Sequence, residues 1–222
     1  MSSLKVSVRN LQKSFGHGDS KVEVLKSVNL QIKAGETLAL TGKSGSGKST
    51  LLSLMAGLDF PDQGEIIIED KNISLMKERE LTLFRASHIG IIFQQFHLVS
   101  TLNALENVLL PMELLRRPNA MDKARELLES VGLSHRSDHL PSELSGGECQ
   151  RVAIARALSI NPSILFADEP SGNLDEETGE RVMDLLFKMV ETTRTTMVLV
   201  THDPDLAKRC SRIVHLEHGS LL

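Results

Sequence analysis

Glu36-Thr37-Leu38-Ala39-Leu40-Thr41-Gly42-Lys43-Ser44-Gly45-Ser46-Gly47-Lys48-Ser49-Thr50 is the stretch that decides the fold. Strand-like ETLALT runs straight into a full match to G-x-x-x-x-G-K-[ST], and the helical sequence STLLSLMAGL follows at once. Glycines 42, 45 and 47 let the backbone curl so that successive N–H groups point inward, and the helix N-terminus behind them adds partial positive charge. Such a loop holds phosphate. Lys48 is then placed to reach the β- and γ-phosphates of a nucleotide, and the Ser49 hydroxyl to ligate Mg2+. The plainer reading is a glycine-rich turn that only joins strand to helix.

Outward from this loop, short apolar runs alternate with helical ones. LKVSV, VNLQI, EIIIED, IGIIF, SILFADE, TMVLVT and RIVHLE read as strands, and DKARELLESVG, GECQRVAIARALSI and EETGERVMDLLFKMVE as helices. Nearly all-apolar strands between helices predict a parallel sheet covered on both faces. The two opening strands precede any long helix, so they are expected to pair as an antiparallel layer, which needs only short connections. From about Gln95 to Glu143 strand character is slight, with Pro111, Pro118 and Pro141 as breakers, and a helical insertion is expected there. The expected organisation is one domain: residues 1–94 with the antiparallel layer and the phosphate loop, 95–160 as helical subdomain, and 161–222 as the rest of the α/β core.

The whole chain sets limits. Its 222 residues are 41% hydrophobic and 24% charged, and 25 Lys plus Arg against 29 Asp plus Glu give a net charge of −4. That balance argues against a nucleic-acid partner. No run approaches the roughly 20 apolar residues that span a bilayer, and the N-terminal MSSLKVSVRN lacks the uninterrupted apolar stretch of a signal. A cytoplasmic chain without direct membrane insertion is the expectation. Cys149 and Cys210 lie far apart and are read as unpaired thiols.

The apolar strand Ile164–Ala167 ends in Asp168-Glu169-Pro170. Adjacent acids at the mouth of a buried strand need a cation or polar partners. Asp168 is the natural Mg2+ holder behind a phosphate loop, and Glu169 is placed to orient or deprotonate a water attacking the γ-phosphate. The alternative is a strand end with solvated acids, or an Asp capping the next helix.

Leu144-Ser145-Gly146-Gly147-Glu148 precedes a long helical run. Ser145 with Glu148 three residues on forms a capping box that needs no ligand, yet two glycines in the first turn leave N–H groups open to an external anion. LSGGE with Gln150-Arg151 just after it resembles the signature motif of the ATP-binding cassette (ABC) family. The phosphate loop, the strand ending in Asp168-Glu169, and His202 after TMVLVT fall in that family's order, and the resemblance covers essentially the whole chain.

The resemblance implies an α/β P-loop NTPase (RecA-like) core with an antiparallel β layer and an inserted helical subdomain. It implies ATP and Mg2+ as ligands, and a homodimer with ATP at the seam, where Ser145, Gly146, Gly147 and Glu148 of one copy cover the nucleotide held by the other. It further implies integral-membrane permease subunits as partners, and a place on the cytoplasmic face of the inner membrane. Gln94 becomes a Mg2+-contacting residue that senses the permease, Ser171-Gly172-Asn173-Leu174-Asp175 a loop crossing to the second subunit, His202 a contact to the γ-phosphate and Phe15 the ring stacked on adenine. Each also has an ordinary reading: Gln94 as a polar strand end, Phe15 as an edge aromatic, and His202-Asp203 as a helix start. Phe15 departs from the family's common Tyr, and Cys149 from its common Gln or Lys.

FHLVSTLNALENVLLPMELL and SGNLD are similar to the subfamily serving lipoprotein-release and macrolide-export permeases, which implies export or extraction of a lipoprotein, lipid or hydrophobic compound. The sequence also ends soon after its last strand, so the C-terminal regulatory domain of many sugar importers is not expected. The competing class is a soluble ABC ATPase of DNA repair or chromosome organisation. It would need a long coiled coil or a basic face, and the sequence offers neither.

Overall fold

The computed structural model describes residues 3–16 and 21–222; Met1, Ser2 and residues 17–20 lie outside the described residues. In chain order the elements are β1 (Leu4–Phe15), β2 (Val22–Lys33), β3 (Thr37–Thr41), α1 (Lys48–Met55), β4 (Gln63–Ile68), β5 (Lys71–Asn72), α2 (Glu78–His88), β6 (Ile89–Ile92) and α3 (Ala104–Leu114). There follow α4 (Ala120–Ser130), α5 (Gly146–Leu158), β7 (Ile164–Asp168), α6 (Glu176–Thr193), β8 (Thr196–Val200), α7 (Pro204–Lys208), β9 (Arg212–Glu217) and β10 (Ser220–Leu221). The chain divides into two units, Met1–Arg85 with Thr195–Leu222, and Ala86–Arg194.

In the first unit, β1 pairs antiparallel with β2 on one edge and β4 on the other, in the order β2-β1-β4-β5. On β2 the residues Val28, Leu30 and Ile32 are buried while Asn29 and Gln31 are exposed, the period-two signature of a one-sided layer. A second sheet in this unit is built on β3, which pairs parallel with β8 along one edge and with β9 along the other. Leu38, Ala39 and Leu40 of β3 and Met197 to Val200 of β8 are wholly buried, as strands covered on both faces must be. The helix α1 packs on β8.

In the second unit, β6 and β7 pair parallel, with Ile92 opposite Ala167. The helices α3, α4 and α5 close around Ala104, Val108, Met112, Leu128, Val152 and Ala155. Pro111, a breaker by sequence pattern, instead sits inside α3. It lies one turn before the helix ends, where a missing N–H costs a single intrahelical bond, and the buried residues on either side of it, Val108, Leu109 and Met112, hold the helix. Pro118 falls between α3 and α4, and Pro141 opens a 3₁₀ turn ahead of α5. Among the described residues no helix is long and apolar enough to cross a membrane.

Candidate functional site

The parallel pairing of β3 with β8 sets Leu40 opposite Val200, so the loop 42–47 and His202 leave the first unit's sheet at the same edge. The Thr201 N–H donates to the Leu40 carbonyl at 3.3 Å, fixing that adjacency. In the loop, Gly42, Gly45 and Gly47 have φ of 145°, 77° and 103°, conformations that side-chain-bearing residues rarely adopt. Gly42 is also sterically required, because a Cβ there would stand 2.2 Å from the Leu216 carbonyl oxygen.

Lys48 curls back over this loop, its Nζ donating to the Gly42 and Lys43 carbonyls at 2.9 and 3.1 Å, and is largely buried. The ammonium thus waits at the loop's mouth. The α1 N-cap, Gly47, supplies no side-chain cap, and the first turn carries no acid, so the helix start is bare. Ser46 Oγ is buried with no hydrogen-bond partner. The unpartnered Ser46 hydroxyl and the uncapped start of α1 are donors that want acceptors, the Lys48 ammonium is held on loop carbonyls meanwhile, and a polyphosphate supplies acceptors. Phe15, at the end of β1, is exposed with Lys13 Nζ 5.2 Å from its ring centre. Asp203, after His202, caps α7 by accepting from the Asp205 and Leu206 N–H groups.

In the second unit, the register of β6 on β7 brings Gln94 and the pair Asp168-Glu169 out at one edge. Both acids are half-buried. Glu169 has a φ of 44°, a left-handed conformation that costs a non-glycine residue on the order of 1 kcal/mol and turns the chain sharply beyond the strand. Carboxylate, amide oxygen and hydroxyl, the donors that Asp168, Gln94 and Ser49 carry, are the hard oxygens that suit Mg2+. Among the described residues there is no cluster of three His, Cys, Asp or Glu side chains of the kind that holds a metal without help.

The capping box at α5 is formed in full. Glu148 N–H donates to Ser145 Oγ at 3.2 Å, and Ser145 N–H donates to Glu148 Oε2 at 2.8 Å. Arg136 Nε donates to the other Glu148 oxygen at 3.2 Å. The Ser145 N–H, with Ser145 Oγ and Arg136 assisting, holds the Glu148 carboxyl below its ordinary pKa against the opposing effect of burial. The box therefore engages Glu148, while Gly146 N–H and Gly147 N–H have no intrahelical carbonyl to meet. Gly147 is buried against Thr178, where a Cβ would stand 2.4 Å from Cγ2, whereas Ser145 and Gly146 are exposed. Asp175 caps α6 by accepting from Thr178 N–H at 3.0 Å, a bond that lowers its pKa.

Three polar residues went unread in the sequence as holders of the backbone at and beside Gln94. Gln150 Nε2 reaches the Phe93 carbonyl at 3.5 Å, Asn173 Nδ2 donates to the Gln94 carbonyl at 3.0 Å, and Arg156 donates to the Phe96 and His97 carbonyls at 2.9 and 2.6 Å. Burial lowers the Arg156 pKa, and four backbone carbonyls in a row or nearly so are thereby held by side chains from α5 and the segment after β7.

A family model described as ABC transporter matches residues 25–172. The chain is 50% identical over 218 residues to the uncharacterized ABC transporter ATP-binding protein YbbA of Escherichia coli (strain K12), covering 97% of this chain and 96% of the relative. It is 44% identical over 223 residues to the lipoprotein-releasing system ATP-binding protein LolD of Saccharophagus degradans, covering 100% of this chain and 98% of that one. A solved dimeric, post-hydrolysis state of the ATP-binding cassette MJ0796, bound to ADP and Pi, matches with a TM-score of 0.89 at 42% identity, covering 97% and 96% of the two chains. With the phosphate loop, the paired acids and the capped signature helix in place, the chain belongs to the ABC transporter family as one of its ATP-binding ATPases.

Proposed function

We propose that this ABC ATPase works as a homodimer with ATP at the seam and drives a separate integral-membrane permease that extracts or exports a lipoprotein, lipid or other hydrophobic compound. The observation that carries the dimer is the start of α5: Ser145 and Gly146 are exposed, and the Gly146 and Gly147 N–H groups have no intrahelical carbonyl to meet. Likeness to LolD over the full chain supports the extraction class. The place of work is then the cytoplasmic face of the inner membrane.

Lys48 and the loop Gly42 to Thr50 grip the phosphates, Phe15 stacks on the adenine, and Ser145 to Gly147 of the second copy donate to the same polyphosphate. Glu148 holds that helix start in shape. Ser49, Gln94 and Asp168 hold Mg2+, which when bound neutralises charge on the phosphate oxygens. Glu169 orients the attacking water and takes its proton, and His202 meets the γ-phosphate. Asp175 keeps the crossing loop in register by capping α6. Binding joins the two copies and hydrolysis releases them, a two-state cycle that moves a permease binding the two states with different affinity.

Glu169→Gln tests this directly. The amide still orients water but cannot accept the proton, so turnover should fall by about 10²- to 10⁴-fold while ATP binding persists, giving an ATP-dependent dimer in gel filtration. Parental turnover in this variant would remove Glu169 from the chemistry, and a variant that stays monomeric with bound ATP would remove the shared seam.

A further inference from the structure

The chain after β7 turns twice in quick succession. Gly172 N–H donates to the Glu169 carbonyl at 2.9 Å, and Leu174 N–H to the Ser171 carbonyl at 3.0 Å, just beyond the left-handed Glu169. This doubling back delivers the Asn173 side chain to the backbone of Gln94, 79 residues away, where Nδ2 donates to the carbonyl at 3.0 Å. Only the amide nitrogen of Asn can donate to a carbonyl, so the chemistry fixes which way the group faces.

Gly172 packs against the side chain of the same glutamine: a Cβ there would stand 2.6 Å from Nε2 and 3.1 Å from Cδ. Consecutive residues thus hold the Gln94 main chain and bound the space of its side chain. Asn173 is exposed and adds no apolar surface to the core, so the contact fixes position more than it adds stability.

We infer that Asn173 and Gly172 form a latch inside one subunit that sets where Gln94 stands, which makes Asn173 a positioning residue for ATP turnover. The inference rests on the reading of Gln94 as a residue of the Mg2+ site. It gives the 171–175 segment a second role, because whatever displaces this segment moves Gln94 through one hydrogen bond and one close packing contact.

The test uses the full chain. Without nucleotide, hydrogen exchange of the amides of residues 94–98 should quicken by about two- to tenfold in Asn173→Ala, the range expected for one lost hydrogen bond. Steady-state ATPase should show the same loss in kcat with KM for ATP changed less than about twofold, since the phosphate loop is untouched. Asn173→Asp should match Asn173→Ala, because a carboxylate has no proton to give. Gly172→Ala should lower kcat with Asn173 intact, by crowding the Gln94 amide. Placed on Gln94→Ala, Asn173→Ala should add no further loss.

Parental exchange and kcat in Asn173→Ala, or additive losses in the double variant, would overturn the latch. Gln94→Ala alone separates the two readings. If it is slow while Asn173→Ala is silent, only the latch fails; if Gln94→Ala turns over at the parental rate, the role of Gln94 fails and the latch with it.

Discussion

Glu148 closes the start of α5 with one carboxylate, one oxygen on the Ser145 N–H and the other on Arg136. Its pKa is lowered chiefly by the Ser145 N–H, so the ionised form is favoured in the folded chain. The stabilisation is therefore full above the carboxyl's unfolded pKa and is lost as pH falls through the lower folded value. Glu148→Ala should cost about 1 kcal/mol at neutral pH, the usual worth of such a cap, and the gap to the parent should narrow as pH drops below about 4. Urea unfolding of both proteins across that range reads the difference, and a gap that stays constant would assign the effect to packing alone. The residues of the phosphate loop were legible in sequence because the chemistry dictates each type, glycine for positive φ and lysine for reach. The main-chain contacts of Arg156 and Asn173 were not, because their partners are carbonyls 59 to 79 residues away. Every residue carries the same carbonyl, so such a contact leaves no mark on the sequence.

At the scale of the element, α3 depends on a residue that no pattern announces. Asn107 is wholly buried, accepts from Val99 N–H at 2.8 Å, and donates to the carbonyls of Val99, Leu102 and Asn103 at 3.1, 2.9 and 3.0 Å. It ties the irregular 99–103 segment to the helix that follows. Asn107→Ala would leave several buried polar groups unmet, and the expected loss is about 2–4 kcal/mol by urea unfolding; a shift below about 0.5 kcal/mol would mean that water replaces the amide. The strands were readable where both faces are buried, as in β3, β7 and β8, because an unbroken apolar run has few other uses. β1 proved longer than LKVSV suggests, extending to Phe15 through several register shifts that interrupt its alternation. The helix α2 was missed since only Leu81 and Phe84 of its 11 residues are buried, too few to draw a helical stripe.

The whole molecule carries a net charge of −4, and two ATP molecules would add several negative charges more, so the proposed pairing calls for donors from both copies to answer each polyphosphate. If Lys48 of one copy and the α5 start of the other grip one nucleotide, damage to the two grips must be separable between copies. Lys48→Ala removes the ammonium that waits on the loop carbonyls. Gly146→Asp adds a carboxylate to an exposed helix start, where its Cβ meets the flexible end of Leu174 at 3.2 Å and Phe96 Cζ at an ordinary 3.7 Å, so the fold accepts it. An acid there suits the helix but repels phosphate. With Glu169→Gln in every chain to prevent turnover, neither variant should pair with itself, since each self-pair damages both of its sites. A tagged Lys48→Ala chain should nevertheless retain an untagged Gly146→Asp chain on an affinity column when ATP is present, because that pair holds one site with both grips intact. One nucleotide per retained pair is the expected stoichiometry. No ATP-dependent retention of the mixed pair, while the Glu169→Gln parent is retained, would mean that each subunit holds its nucleotide unaided and that the exposed start of α5 serves another ligand.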